Sequence, residues 1–580
     1  MYPATAQDAR GLRQIMNMLG ADSPEEVDGH EYERLSHYLD HPLHINSSRL
    51  HELLSSGLFT QYQAVSLYDY IQRHGMVMSL TELSSVDGFG RKEVEKLTPF
   101  VSLETVSGKA GFAMGRKVST DMALRFRTKL RQETPSELSG SYDYGVKYRF
   151  RYREGISLSC AASMPYAASV GIPSLYTASF EWASRKVPVR FIAGDFNARF
   201  GCGLALWNGM SMSGISSVES VSRRPGGISS SWSFTGSSQL TGFSAEYLKD
   251  GFQLTLLTAL PDIKNLKKSK FSTLPAVDLT RYFRHGCVSL TNVAQVSAGR
   301  PVQLAMYKTS FSQRWCLRGV NLSSELCYEW MSHSFAAFAS AVMSLSETWT
   351  FGTALRYYPS GFPVSFSSAP RAGTYCRNEY GASVIGEYAS GRHDVRTAAD
   401  AVYHPEARSS SSDRSIQYRI VSSWLWKISD GVGLDVRLDT RFRTWGLPLR
   451  IGTRVGTGCE WGRFSLDVRA EMLKYRKTSF LGFAEFGYRT DGFDLWLKQG
   501  AFIADHWDDR IYAYERDFPG SFNVPAFYGR GIWTTLMISA DFLRKFRCFL
   551  RASVRSYLLM PVEKRKPGMA ELGLYVSYSF

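Results

Sequence analysis

Two rows of cations recur at every second position: Arg125, Arg127, Lys129 and Arg131, then Lys147, Arg149, Arg151 and Arg153. A spacing of two puts each row on one side of an extended chain. Such a row can bind anions or polyanions, or pair with carboxylates. The intervening positions, Met122, Leu124, Phe126 and Leu130 and then Val146, Tyr148, Phe150 and Tyr152, are apolar. A second place for anion chemistry is Gly88-Phe89-Gly90-Arg91-Lys92. There the glycines would let backbone N–H groups approach a phosphate at the start of a helix, and the two cations would add charge.

Other polar clusters suggest less. His37, His41, His44 and His51 lie close together but form no His-Glu-x-x-His pair and no three-ligand face, so they read as surface histidines. Asp505, His506, Asp508 and Asp509 lack the spacing of a calcium loop and read as solvated. There is no Gly-x-Ser-x-Gly elbow. The expectation is a chain that is not an enzyme and that takes no metal or cofactor. The 8 cysteines, from Cys160 onward, contain no Cys-x-x-Cys pair, and their spacing does not define a pairing.

The elements that must position the cations follow from composition. With 580 residues, 44% hydrophobic content and 21% charge, the chain should fold rather than remain disordered. The nearest thing to a long apolar run is the mixed segment Ala336 to Leu345, too short to cross a membrane as a helix. A membrane protein of this sequence must therefore cross with strands. The aromatic content of 14%, with 31 Tyr and 35 Phe, suits rings placed at membrane interfaces. The net charge of +15 is divided unevenly: residues 1–108 hold 8 Lys/Arg against 15 Asp/Glu, and the remainder holds 60 against 38. An acidic module followed by a basic one is expected.

Along the chain, Ala4-Thr5-Ala6 before Gln7 has the small-x-small character of a signal cleavage site, so the numbering is expected to begin inside or just before a removed signal; a chance Ala-x-Ala is the other reading. Apolar spacing predicts helices over Arg10 to Leu19, from Pro24 after a Ser23 cap, and over Tyr32 to Leu39. Two helical hairpins should follow. One runs from Ile45 through Leu54, breaks at Ser55-Ser56-Gly57 and returns over Tyr62 to His74. The other runs from Ser79 to Val86, turns at Asp87 to Gly90 and ends with a helix over Arg91 to Leu97.

From Lys109 the period changes to two. The cationic rows form one hairpin across a loop at Thr134 to Asp143, and further strands read at Ile156 to Met164, Leu175 to Trp182, Val187 to Ile192, Thr241 to Leu248 and Phe252 to Leu260. Later ones read at Val302 to Tyr307, Thr348 to Tyr358, Ala382 to Tyr388, Ile416 to Trp426, Gly433 to Trp445 and Phe464 to Tyr475. Gly194 to Gly209 suggests a bending or closely packed backbone, and the Ser/Gly-rich stretch to Ser231 a long loop that folds inward or outward. Lys264, Lys267, Lys268 and Lys270 mark a basic loop, and Arg392 to Asp413 a long polar one. The last strand, with Leu572, Leu574, Val576 and Tyr578 on one face, ends in Phe580.

Ile45-Asn46-Ser47-Ser48, Tyr70 to Gly75 and Leu83 to Gly90 resemble the tandem helix-hairpin-helix fold of the competence DNA receptors over residues 42 to 103. The resemblance implies phosphate contact by Gly88, Phe89, Gly90, Arg91 and Lys92; the first hairpin departs from the pattern, with Gly57-Leu58-Phe59 in place of Gly-x-Gly. Asp509 to Glu515, Val524 to Gly531 and Gly194 to Gly209 resemble a family of Bacteroidota outer-membrane proteins that join an N-terminal helix-hairpin-helix region to a large barrel. That likeness implies outer-membrane placement and no particular activity. The terminal aromatic residue suits recognition by the barrel-assembly machinery.

The expected architecture is an N-terminal all-α helix-hairpin-helix domain plus an all-β antiparallel transmembrane barrel of about 16 to 20 strands. It divides into a helical segment at 7–41, tandem hairpins at 42–104 and a barrel at 109–580 in the cell outer membrane, with the helices periplasmic. Expected partners are outer-membrane lipid, the assembly machinery and, at the helical module, DNA or a periplasmic protein. The leading function is DNA binding that assists passage or docking at the membrane. The alternatives are an anion-selective channel or transporter with the helical region as regulator or plug, and a closed structural barrel. Against any anion role, the cationic rows would pair with lumenal acids such as Asp435, Asp439 and Asp467, or with an inserted loop, and merely fill the interior.

Overall fold

The computed structural model describes residues 9–104 and 118–579, apart from 22, 28, 135–136, 153–154, 185–186, 210–213, 235–238, 262–271, 298–301, 318, 408–413, 445–447, 543–544 and 559–566. Ala4 to Gln7, Lys109, Arg153, the four lysines from Lys264 to Lys270 and Phe580 lie outside the described residues.

The N-terminal region is helical. Helices span Ala9–Leu19, Gly29–Asp40, Leu50–Ser56, Gln61–His74, Leu80–Leu83 and Arg91–Leu97, with a 3-10 turn at Pro24–Glu26. Local sequence accounts for the boundaries. Thr60 and Gln63 form a reciprocal capping box at the start of the fourteen-residue helix, and Gly57 ends the preceding helix in the left-handed region at φ +64°. Asn46 ties the hairpins together: its side-chain amide donates to the carbonyls of Val77 (2.9 Å) and Leu103 (2.8 Å) and accepts from the N–H of Val77. Leu43–His44 pairs in parallel with Val101–Ser102, joining the two ends of the module. Its core holds Ile15, Leu35, Leu53, Phe59, Leu67, Leu83 and Phe100.

From Val118 the chain forms a closed antiparallel barrel of 24 strands. The ends meet where Met569–Ser579 pairs with Val118–Thr134, placing Leu574 opposite Phe126 and Tyr575 opposite Arg125. The expected count of about 16 to 20 was too low. Arg392 to Asp413 is not one loop, because His393–His404 is a strand paired on both sides. Small residues such as Ala398 and Ala399 give that strand little contrast between its faces, which is all that alternation can register. Ser334–Ser344 likewise carries Ser and Ala where contrast would be needed, whereas the strand expected at Ala382 to Tyr388 is found within Glu379–Ala389. The expected loop at Thr134 to Asp143 is strand at Thr134 and from Glu137 onward: the hairpin continues beyond the apolar belt, where polar residues such as Ser139 and Ser141 show no alternation.

The outer face is apolar. Val384 and Leu355 are each 60% exposed, and Leu124, Phe126, Leu256 and Leu572 also point outward. Ring ladders edge this belt at both ends. At one end Phe335, Tyr357, Tyr380 and Tyr403 form a ladder over four adjacent strands, at centroid distances of 4.9, 4.7 and 6.1 Å. At the other, Trp349 meets Tyr388 (5.0 Å), Trp424 stacks on Trp426 (6.0 Å), and Phe464 sits between Trp461 and Tyr488. The second end carries short turns, such as 430–431 and 462–463; the first carries the long loops 200–239, 359–378 and 505–528. The helical module joins the barrel at the short-turn end, where Val118 faces Tyr152.

Candidate functional site

The helical module packs inside the barrel. Its acidic residues meet the lumen wall from the 3-10 turn and from helix Gly29–Asp40. Glu25 accepts from Arg469 at 2.7 Å, lies 3.3 Å from Arg454 and also accepts the backbone N–H of Tyr514 at 2.8 Å. Glu471 on the wall faces the same two arginines, so two carboxylates and two guanidinium groups close a buried square. Burial pushes the carboxyl of Glu25 upward, but Arg469 and then Arg454 more than offset this and hold it well below the usual carboxylate range. Next to it Glu26 pairs with Arg437, which also donates to Ser23 Oγ at 3.1 Å. Glu31 pairs with Arg199, and Glu33 with Lys147 at 2.7 Å.

Three loops from the opposite end fold inward onto this assembly. In the loop after Val189–Arg199, Gly203 at φ +100° runs so close to the backbone of Ser368 that a Cβ would lie 3.1 Å from it. The close packing expected of Gly194 to Gly209 is found there, and the stretch that follows turns inward. Glu325 on the wall accepts the N–H groups of Cys202 (2.6 Å), Leu204 (3.1 Å) and Ala205 (3.1 Å) and the Ser310 hydroxyl (2.6 Å). Lys96 of the last helix pairs with Glu219 of the same loop, whose carboxyl is held below its ordinary value by Lys96 and Arg396 against the effect of burial. From the loop 505–528, Phe522 packs against Tyr32 (5.2 Å) and Tyr514 (5.0 Å).

Arg125, Arg127, Lys129, Lys147, Arg149 and Arg151 are turned away from the apolar outer face, and most of their charge is engaged. Arg125 pairs with Asp143 (2.8 Å), Arg127 with Asp517 (3.0 Å) and Arg151 with Asp121 (3.0 Å). Lys147 and Arg149 each lie over the ring of Trp232, 4.2 Å from its centroid, and Lys129 lies over Tyr166 at 4.4 Å. Arg131 is exposed near the hairpin tip. Two of the acids expected to face these rows have other partners: Asp439 binds Arg419 and Arg441, and Asp467 lies 3.8 Å from Arg13 of the helical module. Sequence reasoning missed Glu25, Glu31 and Glu33 and their partners Arg199, Arg454 and Arg469. The signal that could have found them was the opposite charge of the two modules.

Gly88, Phe89, Gly90, Arg91 and Lys92 stand together at the short-turn rim. Gly88 is at φ +89°, and a Cβ there would meet the ring of Tyr62 at 2.8 Å; its carbonyl accepts from Gln63. Phe89 is buried against Phe59 at 5.9 Å. Arg91 faces Glu347 (3.1 Å) and Glu95 (3.6 Å), and Lys92 donates to Thr350 (2.8 Å). The rings of His37 and His41 lie 5.3 Å apart. Asp505 forms a two-pronged pair with Arg530, and Asp509 accepts the N–H groups of Arg476 and Lys477. Among the described residues no group of three His, Cys, Asp or Glu side chains converges in a way that could hold a metal ion.

No protein-family model matches the sequence, and no curated protein is detectably similar to it. Among solved structures, the siderophore receptor PirA from Acinetobacter baumannii is 9% identical, with a TM-score of 0.40 over 80% of each chain. The FrpB iron transporter from Neisseria meningitidis is 10% identical, with a TM-score of 0.38 over 79% of this chain and 81% of that one. The P pilus usher PapC translocation pore is 9% identical, with a TM-score of 0.39 over 80% and 99%. Likeness at this level says nothing about cargo.

Proposed function

We propose that this protein is a plugged outer-membrane transporter whose N-terminal helical module closes the lumen and whose cargo is anionic. The observation that carries the reading is the set of buried ion pairs joining acids of the module to cations of the wall, with Glu25 between Arg454 and Arg469 at its centre. Withdrawal of the module exposes these cations to the lumen, and a cationic lining favours anions. The apolar belt edged by aromatic residues fits hydrocarbon, and short turns at one end with long loops at the other fit periplasmic and extracellular faces respectively. On that orientation the plug enters from the periplasm, and a periplasmic protein that moves it is the expected partner. The order of helices, paired hairpins and barrel is the one implied by kinship with the Bacteroidota outer-membrane proteins, and we keep that kinship as part of the proposal.

Planar-bilayer conductance tests it. The intact protein should conduct little, whereas a chain lacking residues 9–104, or the full chain carrying Glu25→Arg and Glu33→Arg, should open anion-selective channels. A folded, plug-deleted barrel that passes no anions would overturn the reading. Nucleic-acid binding by Gly88 to Lys92 ranks below it, because Arg91 and Lys92 already engage the barrel rim. Filter binding of DNA to the intact protein at several salt concentrations separates the two: salt-dependent affinity would favour DNA.

A further inference from the structure

A cavity of about 180 Å³ lies between the plug's Ser23 to Glu26 turn, the wall strands from Ser415 to Lys474, and Arg510 to Tyr512 of the inward loop. Among the described residues six arginines line it: Arg419, Arg437, Arg441, Arg450, Arg454 and Arg510. Four carboxylates oppose them, Glu25, Glu26, Asp439 and Glu471. The supply of negative charge is therefore short, and it is already shared. Asp439 takes both nitrogens of a two-pronged pair with Arg419 (3.1 and 2.8 Å) and also accepts from Arg441 (3.2 Å). Among the described residues Arg450 has no carboxylate partner; its guanidinium lies 6.0 Å from the Tyr475 ring. Arg510 donates to the Tyr512 hydroxyl and the Trp507 carbonyl, with the Trp507 ring 4.5 Å and the Tyr512 ring 5.5 Å away, and has no carboxylate partner among the described residues.

We propose that this cavity binds a small multivalent oxyanion of the phosphate or carboxylate type, and that its occupancy loosens the plug. Planar guanidinium forks match oxyanion geometry, and a site with surplus cations and a small volume selects a compact, multiply charged ligand. The coupling follows from shared donors. Arg437 and Arg454 line the cavity and are also the partners of Glu26 and Glu25 on the plug. A ligand that draws those guanidinium groups toward itself weakens their hold on the plug, and by linkage a docked plug weakens the ligand. The proposal rests on the plug reading for its consequence, while the binding site itself stands on the cavity alone.

The test is calorimetric titration of the intact, detergent-solubilised protein with inorganic pyrophosphate, with phosphate and malonate as further arms to separate the two oxyanion chemistries. Saturable binding of at least one of them is expected. Arg450→Gln and Arg441→Gln, at positions that form no ion pair or hydrogen bond with the plug among the described residues, should each weaken it by about tenfold or more, the scale of a lost charge-assisted hydrogen bond. Arg510→Gln, on a loop rather than in the wall, provides the same test if a wall variant fails to fold. Hydrogen exchange of residues 23–27 should accelerate on ligand addition. No saturable binding of any of the three anions, or binding unchanged in folded variants, would overturn the site; exchange that is unchanged or slowed would overturn the coupling. Binding that holds in a protein whose plug-deleted form never conducts would keep the site and remove only the transport reading.

Discussion

Glu25 and Arg469 are 444 residues apart in sequence and 2.7 Å apart in space. Their pairing fastens an acidic helical module inside a basic barrel. Breaking a buried pair by removing one partner leaves the other charge uncompensated, at a cost of about 3–5 kcal/mol. Glu25→Gln and Arg469→Gln should each free the 3-10 turn and raise hydrogen exchange across residues 12–27. The swap Glu25→Arg with Arg469→Glu should recover part of the protection. Equal exchange in all three variants and the parent protein would show that the pair does not hold the plug.

Plug docking should weaken in two steps as pH falls. The His37 imidazole is held well below its ordinary value of 6.5, first by burial and then by Arg151, Arg149, His41 and Lys147. The docked state therefore favours neutral His37: its contribution is complete above about pH 6.5 and is lost as pH falls below that value toward the depressed one. Glu25 is held below 4.5 by Arg469 and Arg454 despite burial, so its contribution is present above about pH 4.5 and disappears at more acid pH. Proteolytic susceptibility of the plug between pH 7 and pH 3 should show both steps. His37→Gln should abolish the upper one alone, and persistence of that step would assign it to another group.

Glu325 latches the inward loop by accepting three backbone N–H groups. Glu325→Ala would leave buried donors without an acceptor, at about 1–3 kcal/mol for each that stays dry. The loop should release, and Cys202, which is 2% exposed and whose thiol is pushed up to about 12 by burial and then by Glu325, should become open to maleimide. Mass-spectrometric mapping distinguishes it from the exposed Cys160. Unchanged protection of Cys202 would mean that packing alone holds the loop.

The outer belt can be tested at Val384, midway along Glu379–Ala389 and 60% exposed. Val384→Arg should cost about 2–4 kcal/mol when the barrel folds into a bilayer, and Arg at an outward site near a strand end much less. Unfolding titrations in vesicles measure the difference. Indifference to Arg at Val384 would mean that the surface does not meet hydrocarbon.

Much of the secondary structure was legible in the sequence because its signal is local. Apolar residues at Leu124 and Phe126 between cations at Arg125 and Arg127 mark the two faces of a strand, since a strand alternates whatever it pairs with. Helix Gln61–His74 was readable from its apolar spacing and its glycine stop. His393–His404 was not, because Ala398 and Ala399 differ too little in polarity to mark two faces.

The sequence by itself determined an acidic helical module, a basic set of alternating strands and the absence of a helical membrane span. Tertiary structure alone decided how many strands close the barrel, that the helical module lies within it, and which acid meets which cation. Alternation and capping act between residues a few positions apart and leave their mark in the local pattern. Glu25 meets Arg469 only after the barrel has closed and the module has packed within it, and no spacing along the chain encodes that distance.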